Sequence, residues 1–465
     1  MKHKPFSFTG FAITVLTITL LIITHACSIE ERPEIETTES NPHNVTVEEA
    51  MSNLNSALEL INGGGTKATI GGKVSSVKLI TAADFPSTKA LDGQDEFEQL
   101  LYVVDFEDNQ GYAVLGADDR FVPVLVITEQ GSAPQKIVAP PSANPGDRPT
   151  EGLTIEQLYC EEDGDYYLGS DSLILSTLIS DYLTKTMAKI INPPGADTGG
   201  GNGNGEDPTN PGDNPPAGGT TYTNIPAMLN TKWHQYAPFN DKVSKTDMNG
   251  NRRPIGCTTI AAIQILAYDQ DISLSGKFGI SNSTWDEIEN CETGITSNPL
   301  LNNDISALAQ KAADGIGVKY NFLFSGGTFA TPAAVTKYLK SIGYTKAKKH
   351  LGYSLSKITE MLKFNRPVFI GALSSKISGH AWVIDGIHEQ YNSKYPASKQ
   401  TLLHCNWGWS GESENGNIYY GVLNGYYESE LFDTTKGPEM LDDKDTHVSA
   451  SNDLRGWWCY RFITY

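Results

Sequence analysis

Positive charge is scarce in this chain. Against 55 Asp and Glu stand 35 Lys and Arg, a formal charge of −20, which repels phosphate backbones and anionic lipid surfaces and excludes nucleic acid as the expected partner. Cysteine is scarce as well: six in 465 residues are too few for a disulfide scaffold, and no specific bridge is expected. No metal-ligand spacing, glycine-rich phosphate loop before Lys, or dinucleotide fingerprint stands out, so neither metal nor cofactor is expected. What is present is ordinary for globular protein, 39 % hydrophobic and 19 % charged, at a length that suggests two or three domains.

The amino terminus carries Lys2, His3 and Lys4, then a nearly uncharged run over 6–23 that closes in Thr24, His25, Ala26 and Cys27. This reads as an export signal, with a membrane-spanning or buried helix as the alternative that the polar residues 24–31 argue against. A cysteine after a small residue at the end of such a core resembles a bacterial lipobox, although Thr24 stands where Leu is usual. The expectation is a signal over 1–27 and lipid attachment at Cys27, which would hold the chain on a membrane of the cell envelope, at the outer membrane or cell surface. An ordinary secretion signal is the alternative.

Residues 193–222 are a Gly/Pro/Asn/Asp run with almost nothing to bury, hence a solvated linker. The stretch up to residue 220 lacks Lys and Arg, so a trypsin-like activator finds no site in it. Before the linker, residues 45–192 read as a small α+β domain. Helices are expected at 47–61, with Thr46 and Glu49 as a capping box, and at 172–191, and strands at 100–105, 111–115 and 122–127 around a hairpin turn at 107–110. After it, residues 223–465 place helices at 258–268, 304–315, 331–343 and 354–364 before short strands at 367–372, 380–385, 402–407 and 418–422. Helices followed by an antiparallel sheet predict a two-layer α+β domain with its site in the cleft between them.

Gly256-Cys257 opens the most apolar helix, so the sulfur would sit at a helix amino terminus. The dipole there contributes about 0.3–2 kcal/mol. Bringing a thiol from about 8.5 to about 4 needs roughly 6 kcal/mol, so an imidazole partner is required. Of nine histidines, His380 follows Ser378-Gly379 and begins an apolar strand; His234 and His404 remain weaker competitors. Cys405 is a competing thiol, but strand alternation points it away from the face of Asn406, into the interior.

The combination of Gly256-Cys257, of 379–386 (GHAWVIDG) and of 406–411 (NWGWSG) resembles the streptopain family of cysteine peptidases, and 102–131 resembles that family's inhibitory prosegment. The resemblance implies a papain-like fold and a secreted endopeptidase made as a zymogen. Polypeptides with an apolar side chain near the scissile bond would be its substrates, and its own prosegment its intramolecular inhibitor. It gives Cys257 as nucleophile, His380 as general base and Gln235, in 233–240 (WHQYAPFN), as oxyanion-hole donor. Asn406 could hold the imidazole by its side-chain carbonyl; alternatively Trp407 and Trp409 orient and shield it. Ser325, Gly326 and Gly327 fall where the family lines its substrate cleft, although a plain helix connection reads equally well. Two further functions stay open: a Cys-His amidase or acyltransferase on the same fold, and a surface binding lipoprotein without catalysis.

Overall fold

The computed structural model describes residues 41–63, 69–84, 97–133, 172–191, 223–246, 250–322, 327–374, 379–391, 399–409, 424–432 and 458–465. The expected signal over 1–27, with Cys27, and the whole stretch 193–222 lie outside the described residues. His43–Tyr465 forms one compact unit.

Ahead of the linker, α1 (Val47–Gly63) begins where the Thr46 hydroxyl accepts the Glu49 N–H at 3.2 Å and buries Ala50, Leu54, Ala57 and Ile61, a four-three-four spacing that lines one helix face. Strands β1 (Val74–Thr81), β2 (Gln99–Phe106), β3 (Tyr112–Gly116) and β4 (Val124–Thr128) form an antiparallel meander. The β2–β3 turn places Asp108 and Asn109 at φ 55° and 59°, a region their short polar side chains tolerate. Helix α2 (Ser172–Ile191) closes this part. Strand β1 was not expected: its mostly exposed polar positions give no half-buried alternation.

Beyond the linker come β5 (Asn224–Ile225), α3 (Cys257–Asp269), α4 (Trp285–Glu289) and α5 (Pro299–Ile316). Helix α5 starts earlier than expected because Asn298 caps it, accepting the Leu300 N–H at 3.0 Å, with proline in the first turn. Then follow β6 (Lys319–Phe322), β7 (Gly327–Phe329), α6 (Pro332–Ile342), β8 (Lys348–Leu351), α7 (Leu355–Lys363) and β9 (Val368–Ser374). The last strands are β10 (Gly379–Tyr391), β11 (Lys399–Asn406), β12 (Gly425–Glu428) and β13 (Trp458–Thr464). The strand expected at 418–422 lies outside the described residues.

The stretches on either side of the linker share a single sheet. Its path runs β1-β2-β3-β4-β12-β11-β10-β9-β13-β8, and the joint is the antiparallel pair β4–β12, with Thr128 opposite Gly425 and Val126 opposite Tyr427. On one face α3, α5 and α6 pack over Phe369, Ala381, Val383 and Ile463, giving the stretch after the linker the expected α+β arrangement. On the other, α2 and α7 cover Trp382, Trp407, Tyr427 and Phe462. Helix α2 buries Leu175, Leu178, Ile179, Leu183 and Met187 there. At about 1.5–3 kcal/mol each as an upper bound, these contribute on the order of 10 kcal/mol, far above the 0–1 kcal/mol of a surface ion pair. Apolar burial therefore dominates the docking of the amino-terminal part.

Candidate active site

Helix α3 starts at Gly256, whose φ of +100° is a glycine conformation; a Cβ there would also lie 2.9 Å from Thr328 Cγ2. No side chain caps the helix, so its positive end stays directed at the position of Cys257, a buried thiol. Two neighbours shape this turn. Thr328, in β7, donates its hydroxyl to the Pro254 carbonyl at 2.9 Å, and the Ile255 N–H donates to the Gln235 carbonyl at 2.9 Å. The Gln235 segment is in turn stitched to α3 through buried Gln264, whose Oε1 accepts from the Thr231 hydroxyl at 3.1 Å and the Trp233 N–H at 3.4 Å. The Gln235 side-chain amide, partly exposed, makes no hydrogen bond among the described residues.

His380 is the second residue of β10 and is buried. Its Nε2 lies 2.9 Å from the Trp407 carbonyl oxygen. A carbonyl can only accept, so Nε2 carries the proton and Nδ1 holds the basic lone pair. The ring sits among three indoles: Trp382 at 6.1 Å and 7° from parallel, Trp407 at 6.0 Å, and Trp409 at 3.9 Å between centroids. Burial pushes the imidazole pKa down to about 3, with the Trp407 carbonyl opposing the fall. In this arrangement His380 is neutral, and placing a proton on it costs on the order of 5 kcal/mol.

Asn406 does not hold the imidazole as expected. Its amide donates to the Thr231 carbonyl at 2.6 Å and its Oδ1 accepts the Gly408 N–H at 3.2 Å. The cause is alternation along β11: Trp407 belongs to the core on the His380 side, and Asn406 projects to the opposite face. Its influence on His380 is indirect. The Gly408 N–H and the Trp407 C=O belong to one planar peptide, so fixing the first directs the second. Of the two alternatives, Trp407 and Trp409 contact the ring.

Cys257 lies with α3 on one face of the sheet and the His380 ring with Trp382 and Trp407 on the other; the two stretches meet through their neighbours. A Cβ on Gly408 would come 2.9 Å from Ile260 Cγ2 in the first turn of α3, and Ala381, beside His380, shares an apolar cluster with Cys257. Among the described residues the imidazole makes its one hydrogen bond to Trp407 and none to the sulfur. Cleft candidates Ser325 and Gly326 lie outside the described residues. Gly327 opens β7, which pairs with β6 as a hairpin, and Thr328 of that hairpin braces the turn before Cys257. Thr328 and Gln264 escaped the sequence reading, since neither a lone threonine nor a glutamine inside an apolar helix signals a contact partner.

The competing groups have other occupations. Around His404, burial opposes charge, but Asp385 at 2.6 Å and Glu129 at 3.1 Å outweigh it and raise its pKa to about 10, so it is an imidazolium and no base. His234 accepts the Tyr236 N–H at 3.2 Å, and burial lowers its pKa to about 4. Cys405 sits in the same core as Trp382 and Trp407, where burial pushes its thiol well above the ordinary value.

Residues 233–420 match the family model described as Peptidase C10 family. No curated protein matches the chain. Among solved structures, a Prevotella intermedia prointerpain A fragment is 18 % identical with a TM-score of 0.46, covering 84 % of this chain and 98 % of that one. Active interpain A cysteine protease of the same organism is 20 % identical with a TM-score of 0.34, covering 52 % and 94 %. Those likenesses are too slight to carry an argument. The family match spans the Gln235 segment, the Cys257 helix and the His380 strand together, so residues 233–420 are a Peptidase C10, or streptopain-family, region, that of a cysteine peptidase.

Proposed function

We propose that the protein is an exported endopeptidase zymogen in which Cys257 attacks the peptide carbonyl and His380 handles the protons. The observation that carries this reading is the bond from His380 Nε2 to the Trp407 carbonyl, which leaves Nδ1 as the acceptor for the thiol proton. In the reaction the Cys257 proton passes to Nδ1 and the sulfur bonds to the carbonyl carbon. The carbonyl oxygen takes the negative charge, against the Gln235 amide and the Cys257 backbone N–H. Collapse breaks the C–N bond as the imidazolium gives its proton to the leaving amine, and water, deprotonated by His380, releases the acyl group and restores the thiol. Each oxyanion donor contributes about 2.7–4 kcal/mol.

The amino-terminal part, docked through the β4–β12 pair and the α2 core, acts as the intramolecular inhibitor. It seals His380 in a dry setting where the imidazolium form is disfavoured. Its release after cleavage near 193–222 would readmit water and a polypeptide substrate. Export and lipidation at Cys27 belong to the same proposal, as does a substrate-lining role for Ser325, Gly326 and Gly327. Treatment of the self-processed protein with a thiol-reactive epoxide, followed by mapping of the labelled peptide, should place the adduct on Cys257, and Cys257→Ala should abolish both substrate hydrolysis and linker cleavage. An adduct on Cys291 or Cys405, or self-processing by the alanine variant, would overturn the nucleophile assignment.

A further inference from the structure

Asn424 lies just before β12 and belongs to none of the family-like motifs. It is 2 % exposed, and its polar groups serve two parts of the molecule. The side-chain Oδ1 accepts the Trp407 N–H at 2.9 Å, while the main-chain carbonyl accepts the Glu129 N–H at 3.0 Å, one residue beyond β4 in the amino-terminal part. The Trp407 carbonyl in turn accepts His380 Nε2. Trp407 is therefore held on both sides of its own Cα: Asn424 fixes the N–H side, and the Asn406-anchored peptide fixes the carbonyl side. With both neighbouring peptide planes pinned, φ and ψ of residue 407 are set, and with them the direction in which its carbonyl meets the imidazole.

We infer that Asn424 is a positioning residue for the general base: it orients His380 through the Trp407 backbone without touching the ring or the substrate. The inference rests on the reading of His380 as that base. Removing Oδ1 leaves the buried Trp407 N–H without its acceptor, a loss that falls on the imidazole geometry because the carbonyl two bonds away is the sole hydrogen-bond partner of His380 among the described residues.

The test uses full-length protein allowed to process itself, assayed by hydrolysis of an unfolded polypeptide and by the pH profile of Cys257 alkylation with iodoacetamide. Asn424→Ala should lower kcat by roughly 10-fold or more, leave KM within about twofold, and move the pH limb that reports the imidazole. Asn424→Asp, which keeps an oxygen acceptor, should recover most of kcat and the original pH limb; Asn424→Ser, too short to reach, should not. An alanine variant that is folded with unchanged kcat and pH profile overturns the inference. So does a fall of both polar variants to the same level, which is the decisive comparison if the alanine variant does not fold. Cys257→Ala and His380→Ala run alongside: residual activity in either would mean that the catalytic assignment itself has failed, an outcome distinct from failure of Asn424.

Discussion

His380 and Trp407 are joined twice: the imidazole Nε2–H donates to the tryptophan carbonyl at 2.9 Å, and the two rings lie 20° from parallel with centroids 6.0 Å apart. The polar contact selects which nitrogen is basic, and the ring contact keeps water from it. A main-chain carbonyl, unlike a side-chain amide, cannot be removed by substitution, so the orienting function survives changes in the residue that supplies it.

Trp409 lies nearest to the imidazole, 3.9 Å between ring centroids. Trp409→Ala opens one side of the ring to water, and the His380 pKa should climb from about 3 toward the ordinary 6.5 as desolvation is relieved. NMR titration of His380 in the Cys257→Ala background, which leaves the chain uncut, reads this directly. An unchanged titration would show that the indole does not provide the dry setting.

Gly256→Ala combines a left-handed φ with a methyl group 2.9 Å from Thr328 Cγ2. The strain is expected to destabilise the protein by about 1–3 kcal/mol. Urea denaturation should show a lower midpoint at unchanged slope; equal midpoints would mean that the turn relaxes freely.

The pH dependence follows from four buried groups. His380 is held at about 3, so its contribution is complete above pH 6.5 and erodes as pH falls toward 3. At Glu129, burial opposes charge but His404 and Lys232 outweigh it and lower its pKa, so its contribution is present above 4.5 and lost in acid. His404, raised to about 10, contributes fully below 6.5 and loses its contribution as pH rises through about 10. Glu428, pushed up to about 8 chiefly by burial, resists ionisation, so its penalty grows from pH 4.5 to about 8. The stability of the uncleaved protein should be highest at roughly pH 4.5–6.5 and fall on both sides. Urea midpoints of Cys257→Ala protein measured well below, within and above that range check it, and a monotonic rise with pH would contradict it.

Glu129 reaches across the β4–β12 joint to His404 at 3.1 Å and Lys232 at 3.7 Å. Glu129→Gln keeps the shape and removes the charge. It should weaken docking by about 1–3 kcal/mol, lower the His404 pKa from about 10, and speed linker cleavage. A gel time course of self-processing reads the rate, and equal half-times for the two proteins would exclude a holding role for this carboxylate.

Much of the site was legible in local sequence. Cys257 was marked by the glycine before it and the apolar helix after it, and His380 by small residues ahead of an apolar strand. Cys405 was placed by alternation on the face away from Asn406, and its burial in the opposite core agrees. Asn406 was misjudged because its position in sequence suits an imidazole partner, while the pleat turns its side chain to Thr231. Thr328, Gln264 and Asn424 gave no signal at all, since each acts through a partner distant in sequence.

The sequence by itself determined the helix that carries Cys257 and most of the order of local elements, because capping, glycine placement and periodicity are short-range effects. Tertiary structure alone decided that Thr128 pairs with Gly425 across the linker and that the Trp407 carbonyl, not Asn406, receives the imidazole proton. Strand periodicity states which face a residue takes but not which strand lies beside it, and that choice is made by the long-range packing of the whole sheet.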